Sequence, residues 1–95
     1  VLENIVAIEL LRRGYEVYVG VLYKKEVDFV AIKRDEKLYI QVTESMVSED
    51  VRRRELAPLQ KIRDNYEKIV LSMDTGLDSS YDGIKSLNLI QWLLG

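Results

Sequence analysis

The chain has no cysteine and no histidine among its 95 residues. Without cysteine there is no disulfide framework, no thiolate zinc site and no cysteine nucleophile. Without histidine, serine–histidine and cysteine–histidine triads are excluded and the usual transition-metal ligands are missing. Any bound metal must therefore be a hard ion held by oxygens, Mg²⁺ or a relative. No apolar run reaches the length of a membrane-spanning helix and no signal-peptide pattern is present, so no membrane partner and a cytoplasmic setting are expected. A net charge of −2 gives no global drive toward nucleic acid. Any such contact must come from a local patch.

What is present is an ordinary globular composition, 47% hydrophobic and 32% charged, long enough for one small domain with one core. Residues 1–13, "VLENIVAIELLRR", are dense in helix formers, and Gly14 supplies a stop. Because Val1 already lies in this helical pattern, residues 1–95 are expected to be one domain of a longer protein. "YEVYVGVLY", residues 15–23, is rich in valine and tyrosine and suits a strand. Residues 26–33 and 37–43 flank the polar "RDEK" and are expected to form an antiparallel hairpin. Ser48 is a candidate N-cap, with Glu49 and Asp50 in the first turn of a helix carrying Val51, Leu56, Leu59 and Ile62. Pro58 is expected to kink or divide that helix. "KIVLSM", residues 68–73, has strand length, and "DTGLDSSYDG" after it reads as a polar loop. "IKSL" is expected to be a last edge strand, and "NLIQWLL" a short terminal helix begun by Asn88. A strand after a crossover helix is expected to lie parallel to an earlier one, so the fold class is α/β with a mixed sheet.

Asp28 and Gln41 stand out because each interrupts an apolar strand. A turn centred on Asp35 and Glu36 pairs Val30 with Gln41, Asp28 with Thr43 and Phe29 with Val42. One face is then Phe29, Ala31, Leu38, Ile40 and Val42, all apolar, while Asp28, Val30, Ile32, Tyr39, Gln41 and Thr43 share the other. On the first helix, at about 100° per residue, Glu9, Arg12 and Arg13 form a solvent stripe and Glu3 falls in the apolar sector. Glu3, Asp28 and Gln41, with Thr43 beside them, are thus expected to converge. Two carboxylates about 4 Å apart repel by roughly 4 kcal/mol at an effective dielectric of about 20, so such a set would sit apart, share a proton or accept a cation. A Mg²⁺ there could activate water and stabilise a phosphate under attack.

On "LEN", "EVDFV" and "IQV" the sequence resembles the PD-(D/E)xK nucleases of restriction-endonuclease-like fold, and most nearly the nuclease-like C-terminal domain of prokaryotic AAA-type ATPases. The resemblance covers nearly the whole chain, with "REL" in the second helix and "KIVLSMD" after it. It implies the core order αβββαβ with a short C-terminal strand and helix added. Carried over by residue, it makes Glu3, Asp28 and Gln41 metal-site positions and Asp28, Gln41 and Thr43 catalytic positions. Mg²⁺ is the implied cofactor, and the ATPase domain of the same chain and DNA are implied partners. Thr43 stands where the superfamily has a lysine and supplies no positive charge to orient water or steady a phosphate. Gln41 in place of glutamate also removes a negative ligand. These departures point to a weakened or inactive nuclease-like accessory domain acting in DNA contact or assembly.

Simpler readings stand beside these. Asp28 could pair with Lys24 or Lys25, Glu3 could favour the positive end of its helix, and Gln41 and Thr43 could be ordinary polar positions. Lys24, Lys25 or Lys37 could instead stand in for the missing lysine. Arg52, Arg53 and Arg54, with Lys61 and Arg63, could touch phosphates, or could be a solvated face paired with Glu49, Asp50 and Glu55. Trp92 is expected to anchor the core or an interface. An active Mg²⁺-dependent endonuclease, and an interaction module that forms a homodimer or docks on the ATPase through a sheet edge or "NLIQWLL", are the competing functions.

Overall fold

The computed structural model describes residues 1–76 and 79–95. Among these the elements run α1 (Leu2–Arg12), β1 (Glu16–Val19), β2 (Phe29–Lys33), β3 (Glu36–Val42), α2 (Glu49–Gln60), β4 (Glu67–Ser72), β5 (Ser79–Tyr81), β6 (Ile84–Asn88) and α3 (Leu89–Leu94). The strands form one sheet in the order β1-β2-β3-β4-β6-β5. The β1–β2, β2–β3 and β5–β6 pairs are antiparallel, while β3–β4 and β4–β6 are parallel. The mixed α/β architecture is therefore the one expected.

Local chemistry explains most element ends. Gly14, at φ +92°, turns the chain out of α1, and the Tyr15 N–H bonds back to the Leu10 carbonyl at 3.1 Å. Ser48 Oγ accepts from the Val51 N–H and Asn88 Oδ1 from the Gln91 N–H, so both expected N-caps are made. Pro58 does not divide α2, which runs through it to Gln60. It sits in the last turn, where only the Arg54 carbonyl loses its helical donor.

Two apolar layers sandwich the sheet. Val6 and Leu10 of α1 and Leu89 of α3 pack on Phe29, Ala31, Leu38, Ile40, Ile69 and Leu71. Leu56 and Leu59 of α2 pack on Val30, Tyr39, Val70 and Ile84 from the other side, with Val27 and Met46. Period-two alternation along β2 and β3 thus divides their side chains between the two helical layers.

Four expectations about elements are corrected. The 15–23 strand stops at Val19, and residues 20–24 fold into a turn in which the Lys25 N–H bonds to the Gly20 carbonyl at 2.7 Å. A Cβ at position 20 would collide with the Val27 carbonyl, so glycine alone allows this close approach of two backbones. The hairpin turns at Arg34 and Asp35, not at Asp35 and Glu36, and pairs Phe29 with Ile40 and Val30 with Tyr39. Arg34 takes the left-handed conformation, φ +54°, that this two-residue connection requires. The polar loop after β4 contains β5, which covers β6 and makes it an interior strand. Leu77 and Asp78 of that loop lie outside the described residues.

Candidate functional site

The register correction moves the partner of each residue by two positions, and a shift of two leaves every side chain on its expected face. Asp28 therefore faces Gln41 instead of Thr43, just beyond the Phe29–Ile40 pair. Their contact is reciprocal. The Asp28 N–H donates to Gln41 Oε1 at 2.8 Å, while the Val42 N–H donates to Asp28 Oδ2 at 2.8 Å. Side chains thus replace two main-chain ladder bonds at the end of the hairpin. Gln41 is only 5% exposed, and its Nε2 donates to the Glu55 carbonyl of α2 at 3.1 Å. One amide ties β2, β3 and α2 together.

The electrostatics are those of crowded carboxylates. Burial raises the Asp28 carboxyl above the usual range; the Val42 N–H opposes this and the Glu3 charge adds to it. Burial also raises Glu55, as do the charges of Asp28 and Glu3, while Arg54 partly offsets them. Glu55 is half-buried and feels the Asp28 charge, so it does not belong to the solvated, self-paired face of Glu49 and Asp50. Spacing along α2 gives no sign of this, since whether Glu55 or the acids Glu49 and Asp50 lie nearer the sheet is decided by how α2 lies across it.

Glu3 is solvent-exposed, yet it lines one cleft with Asn4, Val19, Val27 and Asp28, and its charge reaches Asp28 and Glu55. Glu9, expected in solvent, is 9% exposed. It accepts from Arg12 Nε and Nη2 at 2.8 and 2.7 Å and from Arg13 Nε at 2.6 Å, which together hold its carboxyl down to about 2. Arg13 lies 4.3 Å over the Trp92 ring and donates to the Trp92 carbonyl, so Trp92 is an anchor between α1 and α3.

Two oxygens of the Mg²⁺ set expected at Glu3, Asp28 and Gln41 take part in closing the end of the hairpin. Gln41 Oε1 and Asp28 Oδ2 both already accept from backbone N–H groups. Among the described residues no three His, Cys, Asp or Glu side chains are grouped to hold a metal ion. The Thr43 hydroxyl is spent on the Ser45 carbonyl, at a long 3.5 Å. Lys37 lies four residues from Gln41 along β3, roughly 13 Å away at strand rise, and cannot stand in for the missing lysine. Asp28 has no bond to Lys24 or Lys25 among the described residues. Arg53 pairs with Glu49 and Asp50, and Arg52 bonds to the Met46 carbonyl.

No protein-family model matches the chain, and no solved structure matches it. It is similar to an "Uncharacterized protein" of Haemophilus influenzae, at 46% identity over 93 residues. The match takes in 98% of this chain but 22% of that relative. This chain thus spans about a fifth of that relative's length. Among the described residues, no helix is long and apolar enough to cross a membrane.

Proposed function

We propose that this chain is a nuclease-fold accessory domain of an AAA-type ATPase, without cleavage activity of its own, that serves in DNA contact or assembly. The observation carrying this reading is the Asp28–Gln41 clasp. The helix–three strands–helix–strand order, with β4 parallel to β3, matches the architecture that the sequence resemblance implies. At the point where such a fold would present metal ligands, one Asp28 carboxylate oxygen and the Gln41 amide oxygen accept from backbone N–H groups, which supports a structural use of the pair. The set serves to fasten β2, β3 and α2. A role within a larger protein is supported by the small share of the Haemophilus relative that the match covers. The assembly role is supported by an apolar stripe of Val1, Ile5, Ile8 and Leu11 left exposed along α1.

The test is a nicking and cleavage assay on linear and branched DNA with Mg²⁺ or Mn²⁺, wild type beside Asp28→Asn. No product above background is expected from either. Metal-dependent cleavage by the wild type that disappears in Asp28→Asn would overturn the proposal and establish the endonuclease reading.

A further inference from the structure

The second face of the sheet is only partly covered. α2 lies over its β3–β4–β6 portion, packing on Tyr39, Val70 and Ile84. Toward β1 the same face carries Tyr18, in line with Val30 and Tyr39 by cross-strand pairing. The 20–24 turn folds Tyr23 back against Tyr18, with ring centroids 5.3 Å apart. From the other side, the segment before β4 brings up Tyr66, its N–H fixed by Asp64 Oδ1 at 3.0 Å. Tyr18 and Tyr23 are each 37% exposed and Tyr66 44%.

Lys37 stands between these rings. Its ammonium lies 5.2 Å from the Tyr66 centroid, 5.9 Å from Tyr39 and 6.0 Å from Tyr23. Among the described residues it has no hydrogen bond and no carboxylate partner, unlike Lys61, Lys68 and Lys85. The nearby acids are engaged. Asp64 is held by Lys68 Nζ at 2.9 Å and the Tyr39 hydroxyl at 2.6 Å, and Glu16 accepts from the Tyr18 hydroxyl at 2.8 Å. A cation without a carboxylate partner, beside the accessible rings of Tyr23 and Tyr66, suits a ligand with both a planar π-face and a negative charge.

We propose that this open face binds single-stranded nucleic acid, with bases stacking on Tyr23 and Tyr66 and a backbone phosphate on Lys37. Every base has a π-face, so stacking on tyrosine tolerates sequence, and bases are available for it only when they are out of a duplex. With a net charge of −2 there is little long-range attraction. Binding must be short-ranged, and its salt dependence must be shallow. The face is separate from the Asp28–Gln41 clasp and does not depend on the nuclease-fold reading; a failure here leaves the cleavage assay's result standing, and the reverse.

The experiment is anisotropy of fluorescein-labelled oligothymidine, and of a duplex of the same length, titrated with the chain. Single strand is expected to bind more tightly than duplex, with a log–log salt slope of about −0.7 for one phosphate. Tyr23→Ala and Tyr66→Ala should each weaken binding about 5- to 100-fold. Tyr66→Phe should retain it, and Lys37→Gln should flatten the salt slope. Arg53→Gln, which removes a cation already paired with Glu49 and Asp50, should bind as wild type. Because Tyr66 is exposed, an unchanged thermal transition in Tyr66→Ala keeps the comparison valid even where Tyr23→Ala fails to fold. Absence of saturable binding, binding indifferent to loss of the Tyr66 ring, or equal affinity for duplex would each overturn the proposal.

Discussion

Replacing Gln41 by leucine keeps the side-chain size and apolar contacts but removes both hydrogen bonds. The Asp28 N–H then loses its acceptor beside a side chain that is 5% exposed. Leaving such a donor unpaired costs about 1–3 kcal/mol. The Glu55 carbonyl loses the 3.1 Å bond from Nε2 as well. Since that carbonyl can keep its helical partner, the added loss is nearer a net hydrogen bond, about 0.5–1.5 kcal/mol. A total of about 1.5–4.5 kcal/mol follows, which in a domain of this size lowers Tm by roughly 6–36 °C. Gln41→Glu is the informative companion. It retains an acceptor for the Asp28 N–H, but it points an oxygen at the Glu55 carbonyl and adds a third negative charge beside Asp28 and Glu55. It is expected to be unstable at neutral pH and to recover on acidification. Urea denaturation at pH 7 with matched Tm measurements reads both. A Gln41→Leu protein as stable as wild type would refute the clasp, and with it the argument that these groups are committed to holding the fold.

Other outcomes follow from the same geometry. Glu9 is held down to about 2 from an ordinary 4.5, so it stabilises the fold above the unfolded value and loses that contribution as pH falls toward 2. The stability gap between wild type and Glu9→Gln, measured by denaturation, should therefore be constant near neutrality and close between about pH 4.5 and 2. Asp28 behaves oppositely: with its folded value raised above 3.8, it favours the fold when protonated and loses that contribution as pH rises through the folded value. Asp28→Asn should gain on wild type in urea titrations as pH increases from about 4 toward neutral; a gap that does not move with pH would contradict the burial of this carboxyl. Gly20→Ala should destabilise by about 2–3 kcal/mol or more, because the obstacle is the Val27 carbonyl and not a flexible side chain. A thermal melt matching wild type would show that the two backbones can separate freely there.

Element order, the mixed sheet and both helix N-caps could be read from local signals, since Ser48, Asn88 and the β-branched runs act on their own neighbours. The faces of β2 and β3 were also legible, even though the turn was misplaced by one residue, because that error shifts pairing by two and preserves alternation. α1 resisted the same treatment. It carries apolar residues on nearly every side, with Val6 and Leu10 buried but Ile5, Ile8 and Leu11 exposed, so its own pattern does not choose the inward face. The inward face is set by long-range packing: Val6 and Leu10 on the sheet, and Arg13 on Trp92 across 79 positions of sequence, with Glu9 held by Arg13. β5 was hidden for a different reason: three residues in a polar segment carry no apolar alternation, and its strand character comes from pairing with β6. Glu55 likewise acquires its setting only when α2 is laid on the sheet.

The Arg13–Trp92 junction also bears on synthesis. A chain made from its N-terminus can form α1 early, yet the Glu9–Arg13 pair meets its ring only when residue 92 has been added and has cleared the ribosome. Until then the α1 layer lacks Leu89 and the aromatic stop behind Arg13, and the surface between helix and sheet stays open. The α1 layer in this structure needs α3 for its completion. Truncations within α3 are expected to leave an unfinished, aggregation-prone intermediate instead of a trimmed native domain.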